Sequence, residues 1–335
     1  MGIMPGMQPP KLLIVAFSAL LTAFVPFTRA EGVSEIRLGY FPNLTHAQAV
    51  LGTSSGDFEK AVAPTKFSTK TFNAGPSAIE ALFANEVDVT YIGPSPALNG
   101  FIKSKGDGVV VIAGSTANGV IIVARKNSGV TTLADLKGKR VATPQLGNTQ
   151  DIAAKHYLKS VLKQDDVDNV LAVPNAEQSA LFARGQLDAS WAPEPWGSRL
   201  IAETGAKQIA AEGELWPEGK ATITVIITSP KFLKANPDVI EKLLKVHIAW
   251  TKKLQKSPDE VLPQLDAALF ALTNKKLPPG VGAAAFKNTT FTTDPLVYTF
   301  DRFSEWAFEL GLSRTKPNLK KLVDTTILDK LQSAQ

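Results

Sequence analysis

Asn73-Ala74-Gly75-Pro76-Ser77-Ala78 leads through Ala81-Leu82-Phe83-Ala84 to Asp88 and then to Pro94-Ser95-Pro96. Further along, Asn175-Ala176-Glu177-Gln178-Ser179-Ala180 leads through Leu181-Phe182-Ala183 to Asp188 and then to Pro193-Glu194-Pro195. Each passage reads as a turn, a capped helix, a short buried strand and a Pro-x-Pro loop leaving the strand's C-terminal end. In an open parallel sheet, ligands sit beyond those strand ends. Two such passages in one chain predict two similar α/β lobes, each offering the same kind of loop to a shared cleft. The spacing is uneven and the second helix segment is expected to be shorter, so the passages form an echo and not a strict repeat.

Strands and helices alternate around the echo. Strands are expected at residues 34–40, 66–72, 87–92, 109–113, 120–124 and 140–143, with helices after His46, over Ala78–Ala84 and over Asp151–Leu162. Ser115-Thr116-Ala117-Asn118-Gly119 and Gln145-Leu146-Gly147-Asn148-Thr149-Gln150 read as loops. Thr222–Thr228 is a lone β-forming run, and everything beyond Pro230 reads as helices: residues 238–256, 258–272, 295–310 and about 319–331. The strands 120–124 and 222–228 bracket the second α/β unit and would form a two-strand hinge. Residues 31–119 and 228–335 then make lobe 1, and residues 120–227 lobe 2. A single continuous sheet is the alternative.

The chain's first thirty residues say where it works. They hold no acidic residue, one Lys (Lys11) and an apolar run from Leu12 to Phe27, followed by Thr28-Arg29-Ala30. That pattern reads as a secretory signal cleaved after Ala30, with a retained anchor as the alternative. No Cys occurs among the 335 residues, which excludes disulfides, thiol chemistry and a lipidated Cys. Without Lys11 and Arg29, 34 basic residues face 31 acidic ones, a net charge of +3. That balance is too mild to point to nucleic acid. The late lysines, Lys242, Lys245, Lys252, Lys253 and Lys256, fall at helical spacing and read as a solvated face.

Six loops should face the cleft: those around Tyr40, Asn43 and His46, around Ser77, around Ser95, around Thr116, around Gln145, Asn148 and Thr149, and around Glu194 and Trp196. They are rich in hydroxyls, amides and glycines and carry no Arg or Lys. Three end at a helix N-terminus, where unpaired backbone N–H groups and the helix dipole favour an anion. For any one Ser, Thr or Asn, plain helix capping is the competing role. Trp196 is either an aromatic wall for an apolar ligand tail or hinge packing. Glu194 either turns into a structural bond or meets a cationic group on the ligand. His46, His156 and His247 have no partner at metal spacing, so no metal site is expected. No Gly-x-Ser-x-Gly elbow, Walker loop or Gly-x-Gly-x-x-Gly turn is present.

Taken in order, Gly39-Tyr40-Phe41-Pro42-Asn43, Asn73-Ala74-Gly75-Pro76-Ser77, Ile92-Gly93-Pro94-Ser95-Pro96, Leu136-Lys137-Gly138-Lys139-Arg140-Val141-Ala142-Thr143-Pro144, Gly147-Asn148-Thr149 and Ala192-Pro193-Glu194-Pro195-Trp196 closely resemble periplasmic solute-binding proteins of the nitrate/sulfonate/taurine class. The resemblance spans nearly all of the chain after residue 30. It implies a type II periplasmic binding protein fold, and delivery of a small oxyanion, an aliphatic sulfonate or taurine-like ligand first, to the permease subunits of an ABC importer. It also implies ligand contacts at Ser77, Ser95, Asn148, Thr149 and Trp196. The expected protein is a periplasmic monomer without cofactor, a binder and not an enzyme. A secreted enzyme on the same scaffold, with Glu194 or His46 as base, is one alternative. A thiamine-pyrimidine binder is another.

Overall fold

The computed structural model describes residues 33–216, 218–314 and 316–334, together with residues 1, 2 and 6. The expected leader, residues 1–30, otherwise lies outside the described residues. In chain order the first part runs β1 (Glu35–Tyr40), α1 (Ala47–Ser54), α2 (Asp57–Val62), β2 (Lys66–Thr71), α3 (Gly75–Phe83), β3 (Val89–Ile92), α4 (Pro94–Lys103) and β4 (Val110–Asn118). The middle runs β5 (Val120–Ala124), β6 (Val141–Thr143), α5 (Thr149–His156), β7 (Val170–Ala172), α6 (Asn175–Ala183), β8 (Ala189–Pro193), α7 (Trp196–Thr204) and β9 (Lys207–Ala211). The chain ends with β10 (Thr222–Thr228), α8 (Pro230–Ala235), α9 (Pro237–Lys256), α10 (Pro258–Thr273), α11 (Val281–Lys287), β11 (Thr289–Phe291), α12 (Tyr298–Glu309) and α13 (Thr326–Ser333).

These strands form two sheets, ordered β11-β4-β10-β3-β1-β2 and β7-β6-β8-β5-β9. Each contains three parallel strands, β2-β1-β3 in one and β7-β6-β8 in the other, followed by an antiparallel neighbour, β10 or β5. Helices cover both faces. In the first sheet, Ile226 of β10 packs toward α1, α9 and α10, while Val225 and Ile227 pack toward α4 and α12. A strand covered on both sides has no polar face to alternate with, which explains the run Thr-Ile-Thr-Val-Ile-Ile-Thr. In the second sheet, Ile122 packs toward α5, and Ile121 and Val123 toward α6 and α7.

The chain passes between the sheets at Asn118-Gly119, both in the left-handed region (φ 58° and 78°). It returns after β9. β10 pairs with β3 and β4 of the first sheet, so the boundary expected at residue 227 falls inside that sheet's central strand. Ser115–Asn118, read as a loop, continues β4, because β10 and β11 pair with it from either side. β11 itself lies where only helices were expected. Ser95 stands in the first turn of α4 and not in a free loop.

The echo is physical. Arg37 of β1 makes a two-pronged bond to Asp88 (Nε to Oδ2 2.9 Å, Nη2 to Oδ1 2.6 Å), and its backbone N–H donates to the same carboxylate. Arg140, before β6, repeats all three bonds on Asp188 (2.9, 2.9 and 3.1 Å). Each pair ties the start of one parallel strand to its neighbour. The helices α3 and α6 both have nine residues, against the expectation of a shorter second one. The length difference lies in the entry turn: α3 begins two residues after Asn73, while α6 begins at Asn175 itself.

The Arg140 side chain holds the Asp188 carboxyl at about 2, below its ordinary 3.8. A depressed carboxyl stabilises the fold above pH 3.8, and that contribution is lost as pH falls through about 2. Asp188→Asn should therefore lower stability at neutral pH by about 1–3 kcal/mol in chemical denaturation. The gap to the parent protein should close in acid, and a gap that stays constant down to pH 2 would refute the ion pair's role.

Candidate functional site

All six parallel strands point their C-terminal ends at one small cavity of about 20 Å³. From the first sheet, the turn after β1 contributes Phe41, Asn43, Thr45 and His46, the turn after β2 contributes Asn73, Ala74 and Gly75, and the β3–α4 junction contributes Gly93 and Pro96. From the second come Pro144 and Asn148, Thr149 and Gln150 at the start of α5, with Asn175 and Pro193. Among the described residues, the lining holds no Lys, Arg, Asp or Glu.

Four helices, α3, α4, α5 and α6, begin at this cavity, Asn175 being the first residue of α6. Their first-turn amides have no acceptor within their own helices. Proline removes two of them in α4, at Pro94 and Pro96, and one in α3, at Pro76. The amides of Thr149 and Gln150 remain available at α5. Asn148 is the cap of that helix: its Oδ1 accepts from Asp151 N (2.8 Å) and its Nδ2 donates to Gln150 Oε1 (2.8 Å). The Thr149 hydroxyl differs. It is 2% exposed, lines the cavity and has no hydrogen-bond partner. It also touches the opposite wall closely enough that a Cβ at Gly93 would collide with it.

His46 is buried, and burial lowers its imidazole to about 3. Its Nδ1 accepts from Phe41 N (3.3 Å), which leaves the proton of the neutral ring on Nε2. The ring lies against Phe41, with centroids 4.3 Å apart. The site thus offers a hydroxyl, amides and a neutral imidazole, all of them donors without charge. Its chemical complement is an anion held by hydrogen bonds alone.

The expected site residues divide. Asn43, His46, Asn148 and Thr149 line the cavity. Trp196 stands beside it: its Nε1 donates to Asn43 Oδ1 (2.8 Å), and its ring lines an adjoining cavity of about 240 Å³ with Phe72, Asn73, Asn175 and Leu272. Ser95 lies in a separate cavity with Ile152 and Leu312. Tyr40 is buried in the core of the first sheet. Ser77 donates to Ala74 O (2.9 Å) and acts within its own turn. Thr116, in β4, donates to Thr45 O (2.8 Å). Gln145 is half-buried, off the cavity.

Glu194 is fully buried and turned into structural bonds. Its Oε1 accepts from Ser198 Oγ (2.8 Å) and Asn288 Nδ2 (2.7 Å), and Oε2 accepts from Ser198 N (3.0 Å). Its backbone N–H donates to Gly119 O (2.8 Å) and its carbonyl accepts from Leu44 N (3.1 Å). Burial raises its pKa, against the pull of those donors. Lining residues that sequence reasoning did not single out include the polar Thr45, Gln150, Asn73 and Asn175, and for the last two a signal existed, since the same residue heads both echo passages.

A family model described as NMT1-like matches residues 29–261. A Bacillus subtilis (strain 168) protein provisionally named as binding aliphatic sulfonates is 27% identical over 310 residues, covering 89% of this chain and 88% of that one. The alkanesulfonate-binding protein of Xanthomonas axonopodis pv. citri, solved bound to MOPS, superposes with a TM-score of 0.72 at 22% identity, over 88% of this chain and 99% of its own. The periplasmic nitrate-binding protein of Synechocystis PCC 6803 gives 0.75 at 14%, over 90% and 89%. With its two helix-covered sheets, the chain has the periplasmic binding protein fold, and it belongs to the NMT1-like family.

Proposed function

We propose that this protein is an extracytoplasmic solute-binding protein that captures a small oxyanion, an aliphatic sulfonate of the taurine kind first, and delivers it to an ABC importer. The observation that carries this reading is the uncharged cavity at six strand ends, with the unpartnered Thr149 hydroxyl beside the first amides of α5. The relatives' names support the ligand class. In this reading the lobes follow the sheets, residues 33–118 with 222–334 and residues 120–211, and the protein works as a periplasmic monomer.

The anion's head group sits against Thr149, Gln150 and His46. A cavity of about 20 Å³ holds little more than one water-sized centre. An organic tail therefore extends into the adjoining 240 Å³ space beside Trp196, Phe72 and Leu272, and the lobes must part to admit it. The state of the two groups considered as bases supports binding without turnover. Glu194 is committed to Ser198 and Asn288, and His46 is too weak a base at about 3. Among the described residues, the rings on the small cavity are Phe41 and His46, already packed on each other, which is poor stacking for a pyrimidine.

A thermal-shift panel of alkanesulfonates of rising chain length, taurine, nitrate, bicarbonate and pyrimidines tests the reading. Short alkanesulfonates should stabilise most; stabilisation by pyrimidines alone would overturn it. Thr149→Val deletes only the unpartnered hydroxyl. A hydrogen bond to a charged group contributes about 1.5–3 kcal/mol, so affinity for the best sulfonate should fall by about tenfold to a hundredfold in calorimetry. The unliganded melting temperature should hold or rise, because a buried orphan is removed. Unchanged affinity would place the anion elsewhere. Finally, His46 stays neutral well above pH 3 and a sulfonate stays ionised, so affinity should be flat from about pH 5 to pH 8. A steep gain toward acid would mean that a cationic imidazole holds the ligand.

A further inference from the structure

A second cavity, of about 230 Å³, lies at the other end of α5. It is enclosed by Tyr157 just past that helix, by Trp191 of β8, by Glu212 and Trp216 after β9, and by His156 and Trp306, the latter from α12. The aromatic rings are packed on one another: Trp216 and Trp306 lie 4.8 Å apart, Tyr157 and Trp191 5.9 Å, and His156 stacks on Trp306 at 4.3 Å. Among the described residues, no Lys or Arg reaches the lining.

One carboxylate stands in this aromatic surrounding. Glu212 is 3% exposed, and its Oε2 accepts from Trp191 Nε1 at 2.7 Å. The Trp216 indole also lies on the side of that carboxylate and lowers its pKa. Its N–H, 96% buried, lies near that carboxylate without lining up on it. A buried N–H without an aligned acceptor is rare in a native interior and calls for one. A buried carboxylate without a cationic partner is neutralised either by a proton or by a positive charge brought to it. Indole and phenol rings attract a soft organic cation through their faces. The space equals that of roughly eight water molecules of liquid at about 30 Å³ each.

We propose that this cage is a second ligand site, taking a small organic monocation that also carries a hydrogen-bond acceptor, such as a hydroxylated quaternary ammonium. The cation lies among the rings of Tyr157, Trp216 and Trp306 with Glu212 as counter-ion, and its oxygen accepts the Trp216 N–H. This site shares no lining residue with the anion cavity. Its charge requirement is opposite, so it does not depend on the anion reading.

Burial raises the Glu212 carboxyl to about 7. A cation prefers the ionised form, so binding strengthens as pH rises through that value. The other titratable groups facing the cage leave that dependence to Glu212. Burial lowers the His156 imidazole despite Glu309 Oε2 at 3.0 Å, with Arg302 of α12 acting in the same direction, and burial raises the Tyr157 phenol.

The test uses choline chloride as probe and its uncharged carbon isostere, 3,3-dimethylbutan-1-ol, followed by tryptophan fluorescence and calorimetry on the intact protein at constant ionic strength. At pH 8 choline should bind at least tenfold more tightly than the alcohol, and its affinity should fall about tenfold at pH 6. Glu212→Gln keeps an acceptor for Trp191 and should abolish the preference for the cation while leaving sulfonate binding in the cleft unchanged. Trp306→Leu, at a half-exposed wall, should weaken choline about tenfold and provides the second reading should the buried substitution fail to fold. Equal affinity for choline and the alcohol, undiminished choline binding by Glu212→Gln, or no saturable choline binding would each overturn the proposal.

Discussion

Glu194 is the residue at which the two sheets are joined, and the cavity's shape depends on it. It leaves β8 of the second sheet, takes the carbonyl of Gly119 at the crossing between β4 and β5, and receives the amide of Leu44 from the turn after β1. Its carboxylate caps the first turn of α7 through Ser198 and holds Asn288 beside β11. A buried carboxylate is costly unless its oxygens are filled with donors, and here three donors fill them. The consequence is positional: the turn after β1, which carries Asn43 and His46, is fixed relative to β8 and α7. The Trp196 to Asn43 bond continues the same seam two residues on.

That seam leaves the space beyond the six strand ends to be lined by neutral groups. A site built from Lys or Arg would hold an anion strongly but would also release it slowly. Amides, a hydroxyl and a neutral imidazole give bonds of about 1.5–3 kcal/mol each to a charged acceptor, with no ion pair to break on release. The prolines of α3 and α4 sharpen this further. By removing amides at the starts of α3 and α4, they thin the donors on the first sheet's side, while α5 adds the unpartnered Thr149 hydroxyl to its own first amides.

The sequence made the architecture legible where the pattern was repeated in space. Asp88 and Asp188 each brace a parallel strand through an arginine and a backbone amide, and a brace used twice leaves the same letters twice. Sheet membership was less legible for Ser115–Asn118 and Thr289–Phe291, since their pairing partners are far away in the chain and their own composition is hydroxyl-rich. Of the expected residues, those on the turn after β1 and at the start of α5 line the cavity: Asn43, His46, Asn148 and Thr149. Ser77 and Thr116 were equally polar, but a carbonyl within reach took each hydroxyl. No local pattern distinguishes a hydroxyl satisfied by its own backbone from one left over for a ligand. Asn73 and Asn175 were visible only through their equivalence, which spacing alone does not rank above capping.

The composition of the cavity also sets what closure requires. A ligand shifts an equilibrium between open and closed forms only by touching the two lobes unequally in the two states. Here Phe41, His46 and Gly75 come from one sheet's loops and Thr149, Gln150 and Asn175 from the other's. In the proposed reading, an anion at the centre gains its full set of bonds only when both walls are in place. Glycine at position 93 is what allows those walls to meet, because a side chain there would strike Thr149 before the donors converged. Close approach at Gly93, the freed hydroxyl of Thr149 and the fixed seam at Glu194 are thus parts of one geometric requirement, that neutral donors from two sheets converge within the reach of a hydrogen bond.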